Sequence, residues 1–210
     1  MENNGNTNNR VLLQGTVVSE PAFSHSVLGE DFYECFLQSN RLSGTDDVLP
    51  ITFSSRIGTN VEKGERLEID GQIRSYNKPD EERGRNRLVL TIFAREIRKL
   101  EENEQDRNEI VLKGFLCKPP IFRTTPFNRE ICDILLACNR AYGKSDYIPL
   151  IVWGRNARAL KDALVGNEIE VEGRVQSRNY IKQTEKGDET RVAYEVSVAN
   201  LLTRANAFEK

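Results

Sequence analysis

Two stretches in the second half of the chain place aromatic rings beside cations on what side-chain alternation predicts to be outward strand faces. In Tyr147–Trp153 (YIPLIVW), Ile148, Leu150 and Val152 make an aliphatic face, which leaves Tyr147, Pro149, Ile151 and Trp153 on the other side. The strand starting near Glu168 turns Ile169, Val171, Gly173 and Val175 inward. Glu170, Glu172, Arg174, Gln176, Arg178 and Tyr180 then face outward, with Lys182 just beyond. Flat π-faces beside guanidinium groups suit unpaired nucleobases joined by phosphates, each stacked base being worth about 1–3 kcal/mol. The same rings equally suit packing against the other half of the chain, a second chain or a helix, since large aromatics are common in interfaces. Spacing alone does not choose between these uses.

Other chemistries find less material. There is one histidine, His25, and the four cysteines (Cys35, Cys117, Cys132, Cys138) form no CxxC pair. Reduced thiols are expected rather than a zinc site or a disulfide framework. A metal-dependent nuclease needs several carboxylates converging on one point. Here the acidic residues fall in loops or on strand faces, as in Asp46/Asp47 beside a turn. No catalytic residue, no metal and no cofactor is expected. The net charge of −2 hides an asymmetry: residues 1–107 hold 14 Lys and Arg against 19 Asp and Glu, and residues 108–210 hold 16 against 13. The second half is therefore the better partner for a polyanion.

The elements that must position these residues occur twice. Arg10–Gly15 (RVLLQG) returns 99 residues later as Glu109–Gly114 (EIVLKG). At the same offset Arg41, Asp47, Pro50 and Arg56 meet Arg140, Asp146, Pro149 and Arg155. Beyond a three-residue indel the offset is 102, and Gly71 and Ser75 meet Gly173 and Ser177. Each copy reads as five strands with a short helical segment between the third and fourth. In the second copy that segment is expected over Asn156–Leu164, closed by Gly166; in the first the indel removes close to one helical turn. This order predicts an all-β protein of two tandem OB-folds, small five-stranded Greek-key barrels. Expected boundaries are residues 9–99 for the first, with a degenerate binding face, a polar linker at 100–108, and 109–203 for the second, with the aromatic and basic face. Pro50 and Pro149 in the third strands suit a barrel that is incompletely closed.

Several motifs resemble the bacterial single-stranded-DNA-binding proteins and the related primosomal PriB-type proteins. NEIVLKG (Asn108–Gly114) looks like that family's first strand, ACNRAY (Ala137–Tyr142) like the end of its second, YIPLIVWGRNA (Tyr147–Ala157) like its strand-to-helix segment and VGNEIEVEGRVQSRNY (Val165–Tyr180) like its fourth strand. The resemblance implies base stacking by Tyr142, Tyr147, Trp153 and Tyr180. It implies phosphate contacts by Arg155 and Arg178, with Lys182 and Arg140 nearby. In the first copy the stacking positions hold Ser43, Val48, Ser54 and Lys78, while Arg41, Arg56, Arg74 and Tyr76 remain for weaker contact.

The implied function is binding of single-stranded DNA, or RNA, without strong sequence preference, mainly by the second barrel, in replication, recombination or repair. The implied assembly is a homodimer with four barrels, the setting cytoplasmic and nucleoid-associated, with no membrane partner. A tail with an acidic tip, usual in members that recruit replication proteins, is not recognisable in TRANAFEK (Thr203–Lys210). The alternative reading is an accessory module that holds a protein complex such as a primosome together and binds nucleic acid weakly.

Overall fold

Alternating burial along the first strand of each repeat sets the architecture. Val11, Leu13 and Val17 of β1 (Asn9–Val17) turn inward, as do Ile110, Leu112 and Leu116 of β7 (Asn108–Leu116). A computed structural model of the chain describes residues 8–80, 84–184 and 187–203. After β1 come β2 (Ala22–Val27), β3 (Glu30–Asn40), β4 (Asp46–Ser54), β5 (Arg66–Asp80) and β6 (Arg85–Lys99). After β7 come β8 (Ile121–Thr124), β9 (Glu130–Asn139), β10 (Ser145–Trp153), α1 (Gly154–Leu160), β11 (Glu168–Thr184) and β12 (Gly187–Leu201). The strand order, β2-β3-β4-β6-β5-β1-β7-β11-β12-β10-β9-β8, makes the second half a reflection of the first. Each half closes on itself, through β1–β3 and β7–β9, so the chain is two tandem OB-folds.

Repeated residues mark the points where closure is tightest. A side chain on Gly114 would lie 2.4 Å from the carbonyl oxygen of Ala137, where β7 crosses β9, and one on its counterpart Gly15 would lie 2.1 Å from that of Gln38. Pro50 and Pro149 sit one residue before the short parallel ladders β4–β6 and β10–β12 begin, at Ile51↔Ile92 and Leu150↔Val196. Their missing N–H groups therefore break no ladder bond.

Three details differ from the sequence reading. Strands β2 and β8 went unread because every residue of β8 and nearly every residue of β2 is exposed, which leaves no alternation to detect. The helix expected over Asn156–Leu164 runs from Gly154 to Leu160 instead. Ala157 and Leu160 are buried, but a turn follows, in which the Ala163 N–H donates to the Leu160 carbonyl (3.1 Å) and the Leu164 N–H to Asn167 Oδ1 (2.7 Å). The shortened counterpart in the first barrel is a single 3-10 turn, Ser55–Ile57, whose Arg56 N–H donates to Ser54 Oγ at 3.0 Å. Residues 204–210, on which the expectation about a tail bears, lie outside the described residues.

Strands β1 and β7 join the barrels as an antiparallel pair in which Val11 faces its own repeat counterpart, Ile110. The long β5–β6 and β11–β12 hairpins then reach across to the opposite barrel, where two equivalent clasps hold them. In one, fully buried Asp146 accepts from the Ser75 N–H (2.7 Å) and from Arg74 (3.1 Å), pairs with Arg140 (3.1 Å), and Ser75 Oγ accepts from the Tyr147 N–H (2.7 Å). In the other, fully buried Asp47 accepts from the Ser177 N–H (2.8 Å) and from Arg41 (2.7 Å), while Ser177 Oγ accepts from the Val48 N–H (3.1 Å). The connection between barrels has no apolar anchor and is pinned by polar groups. Arg66 donates to the Glu104 carbonyl and to Asp106, both at 2.7 Å, and Asp106 accepts from the Asn40 N–H at 2.9 Å. No helix among the described residues is long and apolar enough to cross a membrane.

Removing one partner of a buried ion pair leaves uncompensated charge at a cost of about 3–5 kcal/mol. Asp146→Ala is therefore expected to lower stability by that order in urea unfolding. Asp70→Ala, which removes the exposed pair with Arg10 (2.6 Å), is expected to cost less than about 1 kcal/mol. Burial also pushes the thiols of Cys35 and Cys132 up to about 11 and that of Cys138 up to about 12. Below about pH 8.5, the unfolded thiol value, their contribution to stability is complete, and it is lost as pH rises toward the folded values. Ellman's reagent at pH 8 is thus expected to titrate no more than the half-buried Cys117 in the folded protein and all four thiols in urea.

Candidate nucleic-acid interface

The parallel ladder from Leu150↔Val196 to Val152↔Val198 carries Trp153, the last residue of β10, to the side of Ser197 on β12. The indole N–H donates to Ser197 Oγ at 3.1 Å, which fixes the orientation of the ring. One neighbouring hydrogen bond thus turns a mobile aromatic into an oriented platform, with 37% of the residue exposed. Trp153 and Arg129 line two open grooves. One, of about 540 Å³, is also lined by Asn108, Arg174, Ser197 and Ala199. The other, of about 640 Å³, is also lined by Thr124, Asn128, Glu130 and Gly154. Ile151, read as outward-facing like Trp153, is buried between Asp133 and Ser197 of the flanking strands.

Arg129 and Arg174 were not among the site residues expected from sequence. Arg174 occupies an outward position of the fourth principal strand, which was visible, but its closeness to Trp153 comes from the β11–β12 register that pairs it with Ser197. Desolvation lowers the pKa of Arg174, and the neighbouring Arg41 lowers it further against the opposing pull of Asp47. Its Nε is buried with no hydrogen-bond partner among the described residues. Arg129 begins the turn into β9 and is exposed, its N–H donating to Thr125 Oγ1 at 3.1 Å.

The expected aromatic residues are strung out rather than clustered. Tyr147 lies six residues before Trp153 on the same strand, which is about 20 Å away at the usual rise, and sits beside the Asp146 clasp. Tyr142 projects fully into solvent from a 3-10 turn with left-handed backbone angles (φ 61°, ψ 32°), a conformation uncommon for tyrosine. Arg178, Tyr180 and Lys182 follow Ser177 on β11, beyond the clasp and toward the first barrel. Arg178 also pairs with Glu195 (3.4 Å). Arg155 is exposed in the first turn of α1.

Three expected cations are placed differently. Arg41 is held by Asp47, whose hydrogen bond raises the arginine's pKa, and Arg140 is held by Asp146. Arg74 reaches out of its own barrel to Asp146, with desolvation lowering its pKa. All three serve the clasps. Arg56 and Tyr76 remain exposed on the first barrel, Arg56 lying 3.6 Å from Glu30.

Residues 107–203 match the family model described as the single-strand binding protein family. Single-stranded DNA-binding protein 1 of Staphylococcus aureus (strain COL) is 37% identical over 83 residues, covering 36% of this chain and 50% of that protein. Single-stranded DNA-binding protein 1 of Lactococcus lactis subsp. lactis (strain IL1403) is 36% identical over 83 residues, covering 36% and 55%. The chain spans about half the length of the curated relatives it matches. In fold, the chain is similar to the wild-type single-stranded DNA binding protein from Thermus aquaticus, with a TM-score of 0.71, 22% identity and 93% of each chain covered. The second barrel, residues 107–203, is thus the part of the chain that is similar to the single-strand binding protein family.

Proposed function

We propose that this protein binds single-stranded DNA without strong sequence preference, chiefly on the outer face of the second barrel. The observation that carries the reading is the oriented indole of Trp153 with Arg174 and Arg129 lining the adjoining groove, on the barrel that matches the family. A stacked base needs a fixed π-face, and the phosphates on either side of it need cations within one nucleotide's reach. Tyr147, Tyr142, Tyr180, Arg155, Arg178 and Lys182 extend that face, while Arg56, Tyr76 and the clasp residues Arg41, Arg74 and Arg140 contribute less. The units of function in this reading are residues 9–99 and 109–203 joined by 100–108. The protein is not an enzyme, needs no cofactor, works as a homodimer presenting four barrels, and serves replication, recombination or repair in the cytoplasm.

One observation favours the alternative of an assembly module: Arg41, Arg74 and Arg140, available in principle for phosphate, are committed to the buried carboxylates. The two readings separate on a labelled oligothymidylate titrated by fluorescence anisotropy. Trp153→Ala is expected to weaken binding about 5-fold to 100-fold, the equivalent of one lost stack. Arg41→Ala is expected to lower the melting temperature and leave affinity within about twofold. A Trp153→Ala protein with intact affinity and a lost oligomer would select the assembly module. Salt supplies a further expected outcome. The log–log slope of affinity against salt should become shallower by about 0.7 in Arg129→Ala, one phosphate contact on single-stranded DNA.

A further inference from the structure

We propose that the first barrel carries a stacking platform of its own, His25, Phe32 and Phe93, which receives unpaired bases of the same strand that lies across Trp153; this rests on the function proposed above. The repeat register locates it. In the second barrel Trp153 is paired across the sheet with Ile131, whereas the equivalent pair in the first barrel is Ser54 with Phe32. Likewise Arg174 is paired with Ser197, and the equivalent pair is Gln72 with Phe93. The ring lost at Ser54 has moved one strand over, and the small residue that supports Trp153 has become a second ring. The platform therefore occupies the same place on the outer face, built from different positions.

Its geometry is that of a surface and not of a core. Phe32 and Phe93 are in contact, centroids 5.9 Å apart at 41°, and the exposed His25 ring lies nearly parallel to Phe32 at 5.0 Å and 12°. Both phenyl rings are half-buried. The core side of β3 and of the neighbouring β4 has its own aromatic pair, Tyr33 with the buried Phe53, centroids 6.0 Å apart. Three conjoined rings on an outer sheet face offer what successive bases need.

Charge around the platform is balanced. Arg56 stands on one side, loosely paired with Glu30, and exposed Arg95 on the other, two residues from Phe93. Glu34 is occupied by Ser24, whose hydroxyl donates to it at 2.7 Å. Between the platform and the second barrel, Arg74 and Arg140 are engaged by Asp146 at the clasp. Stacking rather than phosphate neutralisation must then supply this platform's share, and that share is expected to change little with salt.

The chain has a single tryptophan, so Trp153 quenching reports the second barrel alone. Oligothymidylates of about 8 and about 30 nucleotides, within and beyond the reach of one barrel, separate the two sites. In a Phe32→Leu/Phe93→Leu protein, the 8-mer is expected to bind and quench as in the wild type within twofold, and the 30-mer to bind at least tenfold more weakly. A bromodeoxyuridine-substituted 30-mer is expected to photocrosslink to the wild-type protein at Phe32, Phe93 or His25. Should the double variant fold poorly, His25→Ala, on an exposed hairpin, is expected to weaken the 30-mer alone. Unchanged 30-mer affinity in a folded variant, or crosslinks that never fall in the first barrel, would overturn the proposal. So would a double variant that loses an oligomer while keeping 30-mer affinity, since the rings would then serve a second copy of the chain. Absence of Trp153 quenching would count against the function of the second barrel, and the crosslink map would still decide on the first.

Discussion

The arrangement of the two barrels depends on two carboxylates withdrawn from water. Asp47 and Asp146 are each fully buried at the foot of a β-strand, and each accepts a backbone N–H from the hairpin of the opposite barrel. A buried carboxylate is costly unless paired and hydrogen-bonded, and the arginines at both clasps meet that condition. The energetic gain of such a pair over apolar packing is small, but its geometry is demanding. It therefore specifies one register between barrels more than it adds stability, while the β1–β7 ladder supplies the continuous backbone pairing. With that register held, the outer faces of both barrels keep a constant relation to one another.

This constraint explains a division among the repeated residues. Arg41, Asp47 and Ser75 return as Arg140, Asp146 and Ser177 because every one of them builds a clasp that occurs twice. Trp153 has no repeated counterpart, the equivalent position in the first barrel being Ser54. Repetition is not confined to the clasps, since Arg56 returns as the exposed Arg155, while the clasp residue Arg74 is matched by Gln176. The groove beside Trp153 and the ring cluster around Phe32 are both departures from the repeat, at equivalent places on the two sheets.

Much of the fold was legible from residues 9–203 because inward positions alternate with outward ones, as in Ile148, Leu150 and Val152. The barrels' glycines and prolines also recur where closure demands them. Strands β2 and β8 were not legible, since exposed short strands bury nothing and leave no pattern. The role of Arg41, Arg74 and Arg140 was not legible either. Their partners lie on other strands, and for Arg74 on the other barrel, 72 positions away. A cation on an outward face reads the same whether it meets a phosphate or a buried carboxylate. Arg174 was seen to face outward, but only the strand register brings it beside Trp153. In the first barrel, Ser43, Val48, Ser54 and Lys78 offer no rings, and the contacts among His25, Phe32 and Phe93 depend on strand pairing that the sequence does not display.

The central claim is that an unpaired base stacks on the indole of Trp153. The single tryptophan gives one indole N–H resonance in a nitrogen–proton correlation spectrum, tied to Ser197 by its hydrogen bond. On addition of a thymidylate oligomer of about 8 nucleotides, long enough to cover one barrel, that resonance should move through the ring current of the stacked base. A resonance that stays in place at saturating oligomer, while other signals of the protein shift, would contradict the account.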